Sequence, residues 1–126
     1  MPSTEELYEI AEECRNYILN SPPSTFSWRS NLARGKFPIG CCGDASEMLG
    51  KWLIKRFEVK PTYISGKDGG VDNEIGSHAW LEYDSLVIDI TADQFNSNTY
   101  IFSGIYVGVK TDWYESFLVH STKQIV

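Results

Sequence analysis

The stretch Ser77-His78-Ala79-Trp80-Leu81-Glu82-Tyr83-Asp84-Ser85-Leu86-Val87-Ile88-Asp89-Ile90-Thr91 decides the fold. Two runs rich in aliphatic, β-branched and aromatic residues flank the polar pair Asp84-Ser85. They read as strands, Ser77 to Tyr83 and Leu86 to Thr91, joined by a two-residue turn. With a turn of that length Tyr83 pairs with Leu86, Trp80 opposes Asp89 and His78 opposes Thr91. His78 and Asp89 are then diagonal neighbours on one sheet face, roughly 7–8 Å apart at Cα. Ala79, Leu81, Ile88 and Ile90 fall on the other face. A face able to carry chemistry is thus segregated from an apolar, packing face. A turn of odd length would send Asp89 to the wrong side.

Working outward, Thr62-Tyr63-Ile64-Ser65 reads as a preceding strand, and Lys67 to Gly76, rich in glycine and acids, as a mobile loop bordering the His78 strand. Further upstream a helix begins around Cys41–Gly43, with Ala45, Met48, Leu49, Trp52 and Leu53 on one face and Phe57 extending it. Residues 21–40 form a long connection with three prolines, which Phe26 and Trp28 should pack down. At the start, Ser3-Thr4-Glu5-Glu6 is a capping box. The stripe Leu7, Ile10, Ala11, Cys14, Tyr17 and Ile18 behind it predicts a helix that stops near Asn20, before Ser21-Pro22-Pro23. Downstream, Ile105 to Val109 predicts a strand. The apolar group Trp113, Tyr114, Phe117, Leu118 and Val119 must pack, and its pattern suits a helix and a strand equally. Helices first and strands after is an α+β order.

The 126 residues suit a single domain over residues 1–126, and a hydrophobic fraction of 42% is enough for a core without disulfides or a structural metal. The net charge of −6, with no long run of Lys and Arg, argues against nucleic acid and against an anionic membrane surface as partners. The apolar runs are too short to span a bilayer, and the first residues have neither the basic nor the apolar region of a signal peptide. Three cysteines do not make a disulfide framework, so the expected compartment is the cytoplasm, or delivery by a route that reads no N-terminal signal.

The chemistry lies in three pieces: Gly40-Cys41-Cys42-Gly43-Asp44-Ala45-Ser46, Ser77-His78-Ala79-Trp80 and Ile88-Asp89-Ile90-Thr91. A thiol attacks as thiolate. Cys42 opens an apolar helix, where free N–H groups and a partial positive charge favour an anion. Gly40 and Gly43 leave room for a substrate backbone. The thiolate needs a proton partner, and the chain has two histidines, of which His78 sits on a strand and His120 reads as a surface residue near the end. The imidazole needs an acceptor to fix its tautomer, and Asp89 is placed to be one. Asp44 reads as a structural acid at the helix start, Cys14 as a small buried hydrophobe, and Trp80 as core packing that could shield the His–Asp pair. A metal site from Cys41, Cys42 and His78 is the rival reading, weakened by the absence of Cys-x-x-Cys spacing and of a fourth ligand.

In this order the pieces resemble the papain-like fold, and within it the transglutaminase-like cysteine peptidase superfamily: Gly40-x-Cys42 opening a helix, His78-Ala79-Trp80 on a strand, then Asp89-Ile90-Thr91. The resemblance covers about residues 38–91. It implies an α+β domain with the nucleophile helix packed on an antiparallel sheet. It also implies Cys42 as nucleophile (with Cys41 one position away), His78 as general base and acid, and Asp89 as the orienting group. The implied reaction is attack on a peptide or protein amide through a thioester, with no cofactor and no metal. Water then gives a protease, amidase or deamidase, and a second amine a transamidase, in a role such as toxin or effector. The oxyanion donors are expected to be the backbone N–H of Cys42 and of a neighbouring loop residue, since no Gln stands where papain-type peptidases supply one. The alternative is a catalytically silent module of the same fold that binds a peptide or protein.

Overall fold

Asp84 and Ser85 both take left-handed backbone angles, with φ of 52° and 64°. That is the two-residue turn whose own twist matches the twist of the strands it joins. The register follows: Tyr83 pairs with Leu86, Glu82 with Val87 and Leu81 with Ile88. The computed structural model describes residues 1–126.

Helix α1 spans Thr4–Asn20 and is closed at its start by the capping box of Ser3 and Glu6. Helix α2 spans Cys42–Phe57 and ends where Glu58 turns left-handed. Five strands follow: β1 Thr62–Gly69, β2 Ile75–Tyr83, β3 Leu86–Asp89, β4 Tyr106–Val109 and, after the short helix α3 Asp112–Glu115, β5 Leu118–Gln124. All neighbouring strands pair antiparallel, in the order β4-β3-β2-β1-β5. The chain is therefore α+β.

The period-2 pattern of the hairpin sorts its side chains as expected, but both faces are core. On one face Leu81, Ile88 and Ile90 pack with Leu7, Ile10 and Cys14 of α1 and with Ala45, Leu49 and Leu53 of α2. On the other, Ile64, Trp80 and Val87 pack with Tyr114 and Phe117. The face that carries His78 is thus roofed by aromatic side chains from the C-terminal segment. The undecided C-terminal stretch resolves into both forms, α3 and then β5, which pairs with β1. His120 on that exposed strand approaches Ser65 Oγ at 3.4 Å, so its surroundings are a paired strand and not a fraying end.

Lys67 to Gly76 differs most from expectation. Strands β1 and β2 extend through most of it, leaving residues 70–74 as the connection. Gly69, and Gly66 just before the stretch, make room for Phe117: a Cβ on Gly66 would lie 2.7 Å from that side chain, and one on Gly69 2.4 Å from its ring atoms. The connection is also tied down. Gly70 N donates to Ser116 Oγ at 2.8 Å, Val71 N to Tyr100 Oη at 2.7 Å, and Tyr100 Oη to Glu74 at 2.8 Å. In the 21–40 segment Phe26 packs against Tyr17, whereas Trp28 is 75% exposed, contrary to expectation.

Candidate active site

The tandem cysteines part at the start of α2. Cys41 is the N-cap residue and is fully buried, its thiol directed at the main-chain oxygens of Ile39 and Asn31 at 3.5 and 3.6 Å. Burial, and then the nearby Asp44 and Cys42, push the Cys41 thiol up from its ordinary pKa. Cys14 lies in the apolar core, where burial pushes it up to about 12. Cys42, the first residue of the helix proper, is partly exposed.

The entrance to α2 is held from two directions. Gly40, at φ 71°, donates its N–H to Gln94 Oε1 at 3.2 Å, and its carbonyl accepts from Asn31 Nδ2 at 3.0 Å. Gln94 also donates to the Thr91 carbonyl at 3.1 Å, so one side chain bridges the segment after Asp89 to the loop that leads into Cys42. Asp44 stands in the first turn of α2 as expected, and its Oδ2 also accepts from the Asn31 N–H at 2.8 Å and fixes the preceding loop. A Cβ at Gly40 would meet nothing within 4 Å, so that glycine faces open space as predicted. At Gly43 the room is taken by the Tyr63 hydroxyl, 3.1 Å from where a Cβ would stand.

His78 and Asp89 are the diagonal pair that the register requires. Nε2 and Asp89 Oδ2 are 2.7 Å apart, and the two residues are 1% and 2% exposed. The carboxylate accepts three further bonds: from the Thr91 N–H at 2.9 Å, Thr91 Oγ1 at 3.4 Å and Tyr114 Oη at 2.8 Å. Burial alone would raise the Asp89 pKa, but the charge and hydrogen bond of His78, with the Thr91 and Tyr114 bonds, outweigh it and hold it below the ordinary value. Burial works against the imidazolium too. The Asp89 carboxylate overcomes it, with a smaller contribution from the Cys42 thiol beside the ring, and raises the His78 pKa to about 9. Nδ1 is buried without a hydrogen-bond partner. With Nε2–H directed to the carboxylate, Nδ1 carries the lone pair of the neutral ring. The three residues singled out by sequence therefore meet: carboxylate, imidazole and, beside the imidazole, the thiol of Cys42.

Around the imidazole stand Phe95, Trp113, Trp80 and Phe117, with ring centroids 5.0, 5.5, 5.6 and 6.1 Å away. Trp80 is wholly buried and its indole N–H donates to Glu82. The wall excludes water from the His–Asp pair, which strengthens their attraction. On the far side of Trp113 a cleft of about 500 Å³ opens between the 70–74 connection and Tyr100, Phe102 and Asp112. Arg15 fixes the segment after β3: its guanidinium binds Asp93 through two bonds, at 2.7 and 3.0 Å, and donates to the carbonyls of Ile90 and Gly104.

Reasoning from sequence found Trp80 of the aromatic wall as a shield for the His–Asp pair, but not Tyr114, Gln94, Arg15 or the wall's other members. Gln94 and Asp93 follow Asp89-Ile90-Thr91 closely enough to have been legible as part of the same segment. Tyr114 and Trp113 carried only an apolar signal. No cluster of three or more His, Cys, Asp or Glu side chains is arranged to hold a metal ion, and no helix is long and apolar enough to cross a membrane. No protein-family model matches this chain, and neither does any curated protein or solved structure.

Proposed function

We propose that the chain is a cysteine-dependent hydrolase or acyltransferase of papain-like, transglutaminase-like architecture, acting on a peptide or protein amide through a thioester on Cys42. The observation that carries this reading is the buried 2.7 Å pairing of His78 Nε2 with Asp89, which leaves Nδ1 without a protein partner in a ring flanked by the Cys42 thiol. A histidine held only for packing gains nothing from an unsatisfied buried nitrogen, which is a destabilising feature in itself.

In the proposed reaction the Cys42 proton already rests on Nδ1 as a thiolate–imidazolium pair before substrate arrives, and the thiolate attacks the amide carbonyl. The tetrahedral intermediate collapses as the C–N bond breaks and the imidazolium gives its proton to the departing amine. Water, or a second amine, then attacks the thioester with His78 as base, the S–C bond breaks, and the free thiol returns. Asp89 remains ionised throughout and stabilises the imidazolium.

The test is a brief iodoacetamide pulse at neutral pH, mapped by peptide mass spectrometry, followed by a screen of peptide-amide activity probes. Cys42 is expected to alkylate on the order of tenfold or more faster than Cys14 and Cys41, because their thiols are buried. The probes should trap an adduct on Cys42. Preferential labelling at Cys41 or Cys14, or a Cys42 no faster than either, refutes the proposal.

A further inference from the structure

Tyr63 was read from sequence only as part of a strand. It lies on β1, opposite Leu81 of β2 and Lys123 of β5. Its ring packs against the helix-side core, and the Lys123 ammonium sits 4.9 Å over it. Lys123 is in turn tethered to Glu47 of α2, so the ring is held between the sheet and the helix. At the end of this fixed ring, the hydroxyl meets the first turn of α2 beside Cys42, at the place where a side chain on Gly43 would otherwise stand.

The hydroxyl is a donor in search of an acceptor. Burial, and then the neighbouring Cys42, raise its pKa, so it keeps its proton at neutral pH. The backbone N–H groups of Cys42 and Gly43 belong to the first helical turn and likewise have no intrahelical acceptor. The Tyr63 hydroxyl and the free N–H groups of Cys42 and Gly43 therefore lie at the same end of α2 as the nucleophilic sulfur. Gly43 makes this possible, because any larger residue would press on the hydroxyl.

We propose that the Tyr63 hydroxyl is a catalytic residue that donates a hydrogen bond to the oxyanion formed when Cys42 attacks a carbonyl, sharing that anion with the Cys42 N–H. The inference rests on the proposed acyl-transfer function and adds to it the group that stabilises the intermediate. As the S–C bond forms, the carbonyl π pair moves to oxygen, giving an alkoxide. Tyr63 donates a hydrogen bond to that oxygen without transferring its proton. When the C=O reforms and the leaving group departs with its bonding pair, His78 protonates it and the Tyr63 bond weakens again. A donor placed for the charged intermediate and not for the resting thiol lowers the barrier selectively.

The experiment compares two reactions of one thiol in wild type and Tyr63→Phe. Acylation by p-nitrophenyl acetate passes through an oxyanion; alkylation by iodoacetamide displaces iodide at carbon and forms none. Phenylalanine keeps the ring and its contact with Lys123, and circular dichroism and thermal melting verify the fold. Acylation of Cys42 is expected to fall on the order of 10²-fold, with the alkylation rate and its pH profile unchanged. Equal losses in both reactions would mean that Tyr63 acts on the thiolate, and unchanged rates would mean that it acts on neither; each overturns the inference while leaving Cys42 as the nucleophile. A wild-type Cys42 that alkylates no faster than Cys14 and is not acylated would instead refute the proposed function, and the Tyr63 role with it.

Discussion

Replacing Asp89 by Asn keeps the shape of the side chain and removes its charge. The atom in the place of Oδ2 receives two donors, His78 Nε2–H and Tyr114 Oη–H, while Oδ1 receives the two Thr91 groups. An amide can face Thr91 with its oxygen only by presenting its NH2 to His78 and Tyr114. His78 must then move its proton to Nδ1, the tautomer that cannot accept from the Cys42 thiol. Burial, no longer opposed by a carboxylate, pulls the His78 pKa down from its parental value. The rise from 6.5 to about 9 in the parent is worth about 3 kcal/mol. Because the folded value lies above the unfolded one, this stabilisation is fully present below pH 6.5 and is lost as the pH rises through 9. Urea denaturation should thus show Asp89→Asn less stable by about 3 kcal/mol at pH 6, with the gap narrowing toward pH 10. Turnover on any trapped substrate should fall by roughly 10–10³-fold, the usual scale of a general acid–base contribution. A variant that folds with parental stability at pH 6 and an unchanged pH profile of Cys42 alkylation would refute the reasoning and remove Asp89 from the site.

Three further outcomes follow from contacts around the pair. Tyr114→Phe deletes one buried bond to the Asp89 carboxylate and should cost about 1.5–3 kcal/mol in urea unfolding, with a smaller loss of turnover than Asp89→Asn. A neutral result in both readouts would make that bond incidental. Arg15→Ala releases Asp93 and two carbonyls at a site where the ion pair is largely buried, and should lower stability by about 3 kcal/mol, or roughly 10 °C in Tm. An unchanged Tm would show that α1 does not anchor the segment after β3. Gly69→Ala places a methyl 2.4 Å from the Phe117 ring and should destabilise by about 1–3 kcal/mol; parental stability would mean that the glycine serves the turn and not the packing.

What could be read from sequence was governed by local rules. The first helix was bracketed by its capping box and by Ser21-Pro22-Pro23, and the structure ends it at Asn20. The hairpin register depended on a two-residue turn, and left-handed Asp84 and Ser85 supply it. From that register alone His78 and Asp89 had to share a face. What was misread depended on contacts distant in sequence. Gly69 suggested a mobile loop because glycine is common in loops, but here it makes space for Phe117, about fifty residues away in the chain. Tyr114 shows no polar role in its own segment, and acquires one only because α3 folds back over the hairpin. Tyr63 falls within a strand of ordinary composition, and only the approach of β1 to the start of α2 brings its hydroxyl to Gly43.

The electrostatics of His78 bear on how one residue could serve both halves of the proposed reaction. An imidazole with a pKa of about 9 is protonated at neutral pH and is a ready acid for a departing amine, but a poor base for activating water. That elevation comes first from Asp89 and in smaller part from the neighbouring Cys42. Attack on the carbonyl turns the sulfur from thiolate into a neutral, carbon-bound sulfur and removes the Cys42 contribution. Burial, which disfavours the cation throughout, then meets Asp89 alone, and the His78 pKa falls toward the working pH. In the proposed cycle the ring, as imidazolium, is therefore a stronger acid once the S–C bond has formed, when the leaving amine must be protonated. It becomes a better base once the thioester waits for water or an amine. The aromatic wall sustains this alternation, because only in a water-poor site does the loss of one neighbouring charge move a pKa appreciably. The sealed environment that makes an unpartnered Nδ1 a structural liability is the same one that lets the state of a single sulfur set whether His78 gives or takes a proton.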